Sequence, residues 1–322
     1  MNIAKTLTAL FAAIALALPV TAAAQTYPAK TVRMIVGFPP GGPTDVLARI
    51  VAQKLGEAWG QQVVVDNRAG ASGMIGAELT ARAAPDGYTL LMVPVTYAVA
   101  PSLFSKMAYD TERDLATVAQ VAASPFILVV HPTLPVKTVK DLAALGRSRP
   151  GQLNYASAST GGMPHLAGEL FNTMTGAKLV HIPYKGAAPA TTDLLAGQVQ
   201  LMFNNMLSAM PQVKAGRLRA VAVTSSKRSS AAPELPTIAE TVPGYEASGW
   251  YGVLAPAAMP RELINRVNGE VNRIMKLPDV TQRLAGDGVE AVGITPEQFG
   301  AYLRAEVAKW NKVVKAAGIK AD

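Results

Sequence analysis

Short runs of Val, Ile and Leu alternate along the chain with stretches whose apolar residues recur every three or four positions. Residues 31–38 (TVRMIVGF) are apolar almost throughout, as expected of a strand covered on both faces. Residues 43–59 put Leu47, Ile50, Val51, Leu55 and Ala58 on one face of a helix. A second strand is predicted over 62–66, a helix over 74–83 and a third strand over 89–95. Strands alternating with helices in this way predict α/β units on a largely parallel sheet.

A second series starts after Ser124-Pro125. It predicts a strand over 126–131, a helix over 139–147 and a strand over 153–157. A helix over 163–175 is closed by Gly176, a strand follows over 179–182, a helix over 188–196 is closed by Gly197, and a strand covers 199–203. RAVAVT at 219–224 reads as one more strand, and the polar, proline-rich SSKRSSAAPELP after it reads as a linker. From Pro260 the pattern is helical, over 263–275, 280–285 and 296–317, the last with Phe299, Leu303, Val307 and Trp310 at helical spacing. Strand-like passages near 121–130 and 220–226 join the two series. The chain is therefore expected to form two lobes on a double hinge, one from 25–124 with 227–322, the other from 125–226. Lobes of this kind hold a small molecule in the cleft between them and close over it.

Composition narrows the chemistry. The 322 residues include no cysteine, which excludes disulfides, thiolate metal sites, a Cys nucleophile and an acylated Cys anchor, and three histidines leave little for a metal cluster. The first 24 residues carry Lys5, an apolar run over 7–18, Pro19 and then Ala22-Ala23-Ala24, the pattern of a signal peptide cleaved before Gln25. Export to the periplasm is the expectation. The net charge of +8 is spread along the chain, and its densest group (Arg217, Arg219, Lys227, Arg228) lacks interleaved aromatics. That argues against nucleic acid and suits a mild field that draws in small anions.

No catalytic constellation stands out. GxSxG, GxxxxGK[ST], HExxH and an SxxK set are missing, and Gly70, Gly73 and Gly76 miss the dinucleotide spacing. His165 and Glu169 stand at i, i+4, yet no third ligand is evident, so neither metal nor cofactor is expected. Glycine-rich loops placed just before helices are more informative. In FPPGGPTD, Pro39 and Pro40 stiffen the exit from the strand, Gly41 and Gly42 let backbone amides face a ligand, and Pro43 suits the first helical position. The unpaired amides of that turn form an anion site, with the Thr44 hydroxyl as an extra donor. SASTGG at 157–162 repeats the device in the second series and could equally serve plain N-capping.

The runs YPAKTVRMIVGFPPGGPTDVLAR, VVVDNRAGASGMIGAELTARAAPDGYTLL, LNYASASTGGMPHLAGELF and HIPYKGAAPATTDLLAGQVQLMFNN, in this order, resemble the extracytoplasmic solute-binding proteins of tripartite tricarboxylate transporters, the Bug or TctC family. The resemblance covers essentially the whole chain after residue 24. It implies a monomeric, non-catalytic periplasmic receptor of the type II, Venus-flytrap fold that hands a small carboxylate to two integral membrane subunits. It also implies that backbone amides and hydroxyls hold the ligand, which points to Pro40, Gly41, Gly42 and Thr44 on one side and to Ser159, Thr160 and Gly161 on the other. Asp45, Ser72, Thr96, His165 and Asn204 are further candidate contacts. Asp45 also suits a first-turn acid paired with Arg49. Where family members commonly carry Asp-Asn, this chain has Asn204-Asn205, a change that favours a dicarboxylate over an amino acid. A receptor docking on a sensor kinase and an exported hydrolase or lyase are the alternatives.

Overall fold

The computed structural model describes residues 27–184, 186–286 and 288–319; the expected signal peptide lies outside them. Among the described residues the strands form two sheets. One contains β1 (Val32–Val36), β2 (Val63–Asn67), β3 (Thr89–Pro94), β4 (Leu115–Ser124), β10 (Gly249–Pro256) and β11 (Glu290–Ala291), in the order β11-β4-β10-β3-β1-β2. The other contains β5 (Phe126–Val130), β6 (Asn154–Ser157), β7 (Val180–Pro183), β8 (Leu201–Asn205) and β9 (Arg219–Val223), in the order β7-β6-β8-β5-β9. Helices cover both sheets, so the molecule is α/β with two lobes.

The sheets are mixed rather than largely parallel. β1 runs parallel to β2 and β3, and β6 runs parallel to β7 and β8. β10 lies antiparallel between β3 and β4, and β5 is antiparallel to β8 and β9. The antiparallel strands are those that carry the chain between the lobes: β4 passes into β5 across Pro125, and the chain returns after β9 into β10. At this crossing Phe126 N–H donates to Thr224 Oγ1 (2.8 Å), Thr224 N–H donates to the Phe126 carbonyl (2.9 Å), and Ala247 N–H donates to the Thr224 carbonyl (3.0 Å).

The helices are α1 (Pro43–Trp59), α2 (Met74–Ala81), α3 (Thr96–Leu103), α4 (Val139–Ser148), α5 (Met163–Thr175), α6 (Ala187–Leu195), α7 (Met206–Lys214), α8 (Arg261–Ile274), α9 (Pro278–Gly286) and α10 (Pro296–Ala317). Sequence reasoning passes over α3 and α7 because Pro101 and Pro211 sit inside them, where a missing N–H reads as a break. It also passes over β10, whose GWYGVLAP looks too glycine-rich for a strand. Gly252 is needed there: a Cβ on it would lie 2.3 Å from Phe299 Cζ of α10. The stretch expected to be a loose linker is tied down, with Ser229 and Ala232 buried and Arg228 donating to Glu240 from two nitrogens, each at 2.9 Å.

The lobes are joined unequally on their two sides. α1, α8 and α9 cover one face of the first sheet through Leu47, Val51, Leu55, Val271 and Leu284. The other face, under α2, α3 and α10, belongs to a cluster that continues across the lobe boundary: Leu303 and Trp310 of α10 share it with Leu166 and Phe171 of α5. Tyr245 reinforces this seam by donating to the Ala167 carbonyl at 2.9 Å. On the opposite side the α1–α9 cluster stays separate from the one that α6 and α7 build on the second sheet. The two lobes therefore share a core along the α10–α5 seam and keep separate cores on the α1–α9 side.

Candidate ligand-binding site

β1 and β6 end at the cleft, and the loops that follow them share one plan. In the first, Gly41 is left-handed (φ 85°) and Gly42 is the extended N-cap of α1 (φ −77°, ψ 167°). In the second, Gly161 is left-handed (φ 73°) and Gly162 is the extended N-cap of α5 (φ −72°, ψ 160°). Glycine accepts the left-handed turn without the penalty a Cβ would bring. Proline sits at the start of both helices, as Pro43 and Pro164, where its lost N–H would have had no intrahelical partner.

Each loop is latched by the third residue of its helix. Gly41 N–H donates to Asp45 Oδ2 at 2.9 Å, and Gly161 N–H donates to His165 Nδ1 at 2.9 Å. These two amides, expected to face a ligand, are therefore spent inside the protein. Helix geometry leaves the next ones without intrahelical acceptors: Gly42, Thr44 and Asp45 in one lobe, Gly162, Met163 and His165 in the other. Each set forms the positive end of a helix dipole at the cleft.

Both latching side chains are buried and engaged within the protein. Asp45 is 2% exposed, and besides Gly41 it accepts from Arg49 Nε (2.8 Å) and Asn67 Nδ2 (2.9 Å). The Arg49 hydrogen bond, helped by those from Gly41 and Asn67, outweighs burial and holds the Asp45 carboxyl down at about 2. It stays charged and paired.

His165 is equally enclosed. Its ring stacks on His181 with centroids 3.6 Å apart and planes 9° from parallel. Ser157 Oγ donates to the Ser159 carbonyl (2.9 Å), which makes His181 Nε2 the donor in its 2.6 Å contact with Ser157 Oγ. Below the stack Tyr155 OH donates to Glu169 Oε1 at 2.6 Å. Burial, together with the neighbouring His181, pushes His165 down to about 3, and burial pushes His181 down to about 4. Both imidazoles are neutral at neutral pH, and an unprotonated Nδ1 is what the Gly161 amide requires.

The remaining predicted residues divide. Pro40 is exposed in the first loop and Thr44 is 6% exposed at its base. Ser72 is exposed in a left-handed turn (φ 54°) beside that loop, where Gly37 and Gly73 pack so closely that a Cβ on Gly37 would lie 2.7 Å from Gly73 Cα. Thr96 lines the same spot from below, its Oγ1 buried without a partner. Ser159 and Thr160 stand exposed on the second loop, and Gly161 faces Leu103 at the end of α3. Asn204 is enclosed. It is 1% exposed, its Nδ2 donates to Thr191 Oγ1 (3.3 Å), and its Oδ1 accepts the Asn205 amide (2.8 Å). Strand alternation places it on the Met202 face, under α6, and leaves the exposed Asn205 at the cleft. Sequence reasoning missed Asn205, for which that alternation was the available signal, and it missed Asn67 and His181, whose roles depend on contacts distant in sequence.

Residues 47–319 match the family described as the tripartite tricarboxylate transporter family receptor. The chain belongs to this receptor family. The protein BugT of Bordetella pertussis is 41% identical over 308 residues, covering 95% of this chain and 94% of BugT. Rpa4515 of R. palustris, solved with adipate, is 39% identical with a TM-score of 0.73, covering 92% of this chain and all of the other. A TctC solute-binding protein from Polaromonas, solved with no ligand, is 26% identical with a TM-score of 0.82, covering 90% of this chain and all of the other. As a TctC-family receptor the protein binds a solute rather than transforming one. Receptors of the family are periplasmic, and no described helix is long and apolar enough to cross a membrane.

Proposed function

We propose that the protein is a periplasmic receptor that takes a small dicarboxylate between its two glycine loops and delivers it to the two membrane subunits of a tripartite transporter. The observation that carries this reading is the duplicated loop: two helix N-termini of the same construction, one per lobe, each with three amides lacking intrahelical acceptors. Two such sockets suit a molecule with a carboxylate at each end. The adipate in Rpa4515 is an ion of that kind. The lobes, 25–124 with 227–322 and 125–226, close about the 124–126 and 224–249 crossings, with the α10–α5 seam as the fixed edge.

Thermal melting with a panel of dicarboxylates, monocarboxylates and amino acids tests the proposal. A ligand at about 100 times its Kd adds about 2.7 kcal/mol, a shift of several degrees in Tm. Dicarboxylates are expected to give the shift; a shift with amino acids alone overturns the reading. Ser159→Ala and Thr160→Ala are each expected to weaken dicarboxylate binding by about 1–2 kcal/mol, by removing a hydroxyl donor to a charged group. Titration calorimetry checks this, and unchanged affinity in both variants moves the site off the second loop.

A further inference from the structure

A cavity of about 240 Å³ opens beside the first loop on the α1–α9 side of the molecule. Its walls are Val46, Leu47 and Ile50 of α1, Leu284 of α9, Val289 and the ring of Tyr251. Gly41 and Ser124 from one lobe and Asn205 from the other line it as well, so it is continuous with the binding cleft and spans the lobe boundary. Among the described residues that line it none carries a charge.

We infer that this cavity is a compartment for a hydrocarbon arm, so that the solute is a carboxylate bearing an alkyl or aryl substituent rather than a bare short diacid. The inference rests on the carboxylate-receptor reading and deepens it. One helix supplies both parts: the first-turn amides of α1 face the anion, and Val46, Leu47 and Ile50, one to two turns on, form an aliphatic wall beside it. No cation lines this compartment to neutralise a second carboxylate, and burying an unneutralised charge there is costly. An apolar group has everything it needs. An apolar cavity of roughly 150 Å³ takes up benzene, so the space here admits a phenyl ring or a butyl chain. Polyhydroxylated acids, whose hydroxyls would meet mostly aliphatic walls on this side, are disfavoured.

The test uses calorimetric titration of the purified protein with succinate, glutarate and adipate and with the 2-butyl and 2-phenyl derivative of whichever parent binds. The butyl derivative is expected to bind tighter than its parent by about fourfold per buried methylene, the equivalent of about 0.8 kcal/mol each. Val46→Phe, and separately Val289→Phe on the opposite wall, fill the compartment and are expected to collapse the ratio of derivative to parent affinity towards one. Parent and derivatives binding equally to the wild type overturns the compartment and leaves the receptor reading standing. A ratio that survives both filling variants also overturns it, because the arm then lies elsewhere. Failure of every carboxylate to bind overturns the receptor reading and the compartment with it.

Discussion

Stability is expected to fall steeply between pH 6.5 and about 4, and the stacked His165–His181 pair is the cause. Both rings are neutral in the fold, with burial holding them near 3 and 4, whereas in the unfolded chain each protonates at its ordinary value of 6.5. Through this window the unfolded state binds more protons than the folded one. Stability therefore rises with pH, by up to about 1.4 kcal/mol per pH unit for each imidazole. Asp45 contributes in the same sense, since it too binds fewer protons in the fold, but lower down. Its depressed carboxyl stabilises the fold above 3.8, and this is lost only as pH drops towards 2, so it stays outside the imidazole window. Urea unfolding at half-unit pH steps is the measurement. His165→Asn and His181→Asn are each expected to flatten the slope by about half, and a stability independent of pH from 6.5 to 4.5 contradicts the buried neutral pair. His165 of this pair latches Gly161, so acid is expected to loosen the second loop as well as the lobe beneath it.

The second large effect is expected at the seam. Glu306 is 3% exposed, and its Oε2 accepts from the indoles of both Trp250 (3.0 Å) and Trp310 (2.9 Å), while Lys309 pairs with Oε1. These contacts tie α10 to β10, the strand that brings the chain back into the first lobe. Glu306→Ala leaves two buried N–H groups without an acceptor, while the partly exposed Lys309 keeps the Glu246 carbonyl at 2.9 Å. An orphaned buried donor costs about 1–3 kcal/mol, so the two indoles together set an expected loss of about 2–6 kcal/mol. Glu306→Gln keeps a carbonyl acceptor and is expected to lose about half as much. Two of the protein's three tryptophans sit at this carboxylate, so intrinsic fluorescence during denaturant unfolding reports on it directly. A loss below about 1 kcal/mol for Glu306→Ala would show that water replaces the carboxylate and that the seam is not dry.

The parts of this architecture that were legible in the sequence are those governed by local rules. The period of α1 and α10, the apolar runs of β1 and β3, and the glycine–proline starts of α1 and α5 each follow from a handful of neighbouring residues. Long-range constraints were not legible. β10 reads as a weak strand until Phe299 explains Gly252, and α3 and α7 read as breaks because of their prolines. At the site, the two loops were visible as helix N-termini, but the division of labour within them was not. Asp45 and His165 look like contacts from their position one helical turn from the glycines. Their partners, Asn67 and His181, arrive from other strands and convert them into latches. Asn204 and Asn205 are adjacent in sequence and lie on opposite sides of β8, and a strict reading of strand alternation would have separated them.

The most direct test of the central claim is a crystal structure of the protein with the tightest dicarboxylate of the panel. One carboxylate is predicted to lie about 2.7–3.2 Å from the Gly42 and Thr44 amides and the other at the same range from the Gly162 and Met163 amides. The Ser159 or Thr160 hydroxyl is predicted to donate to the second, with the lobes closed about the α10–α5 seam. Both carboxylates held within one lobe, or by lysine and arginine side chains with the two glycine loops unoccupied, would contradict the account.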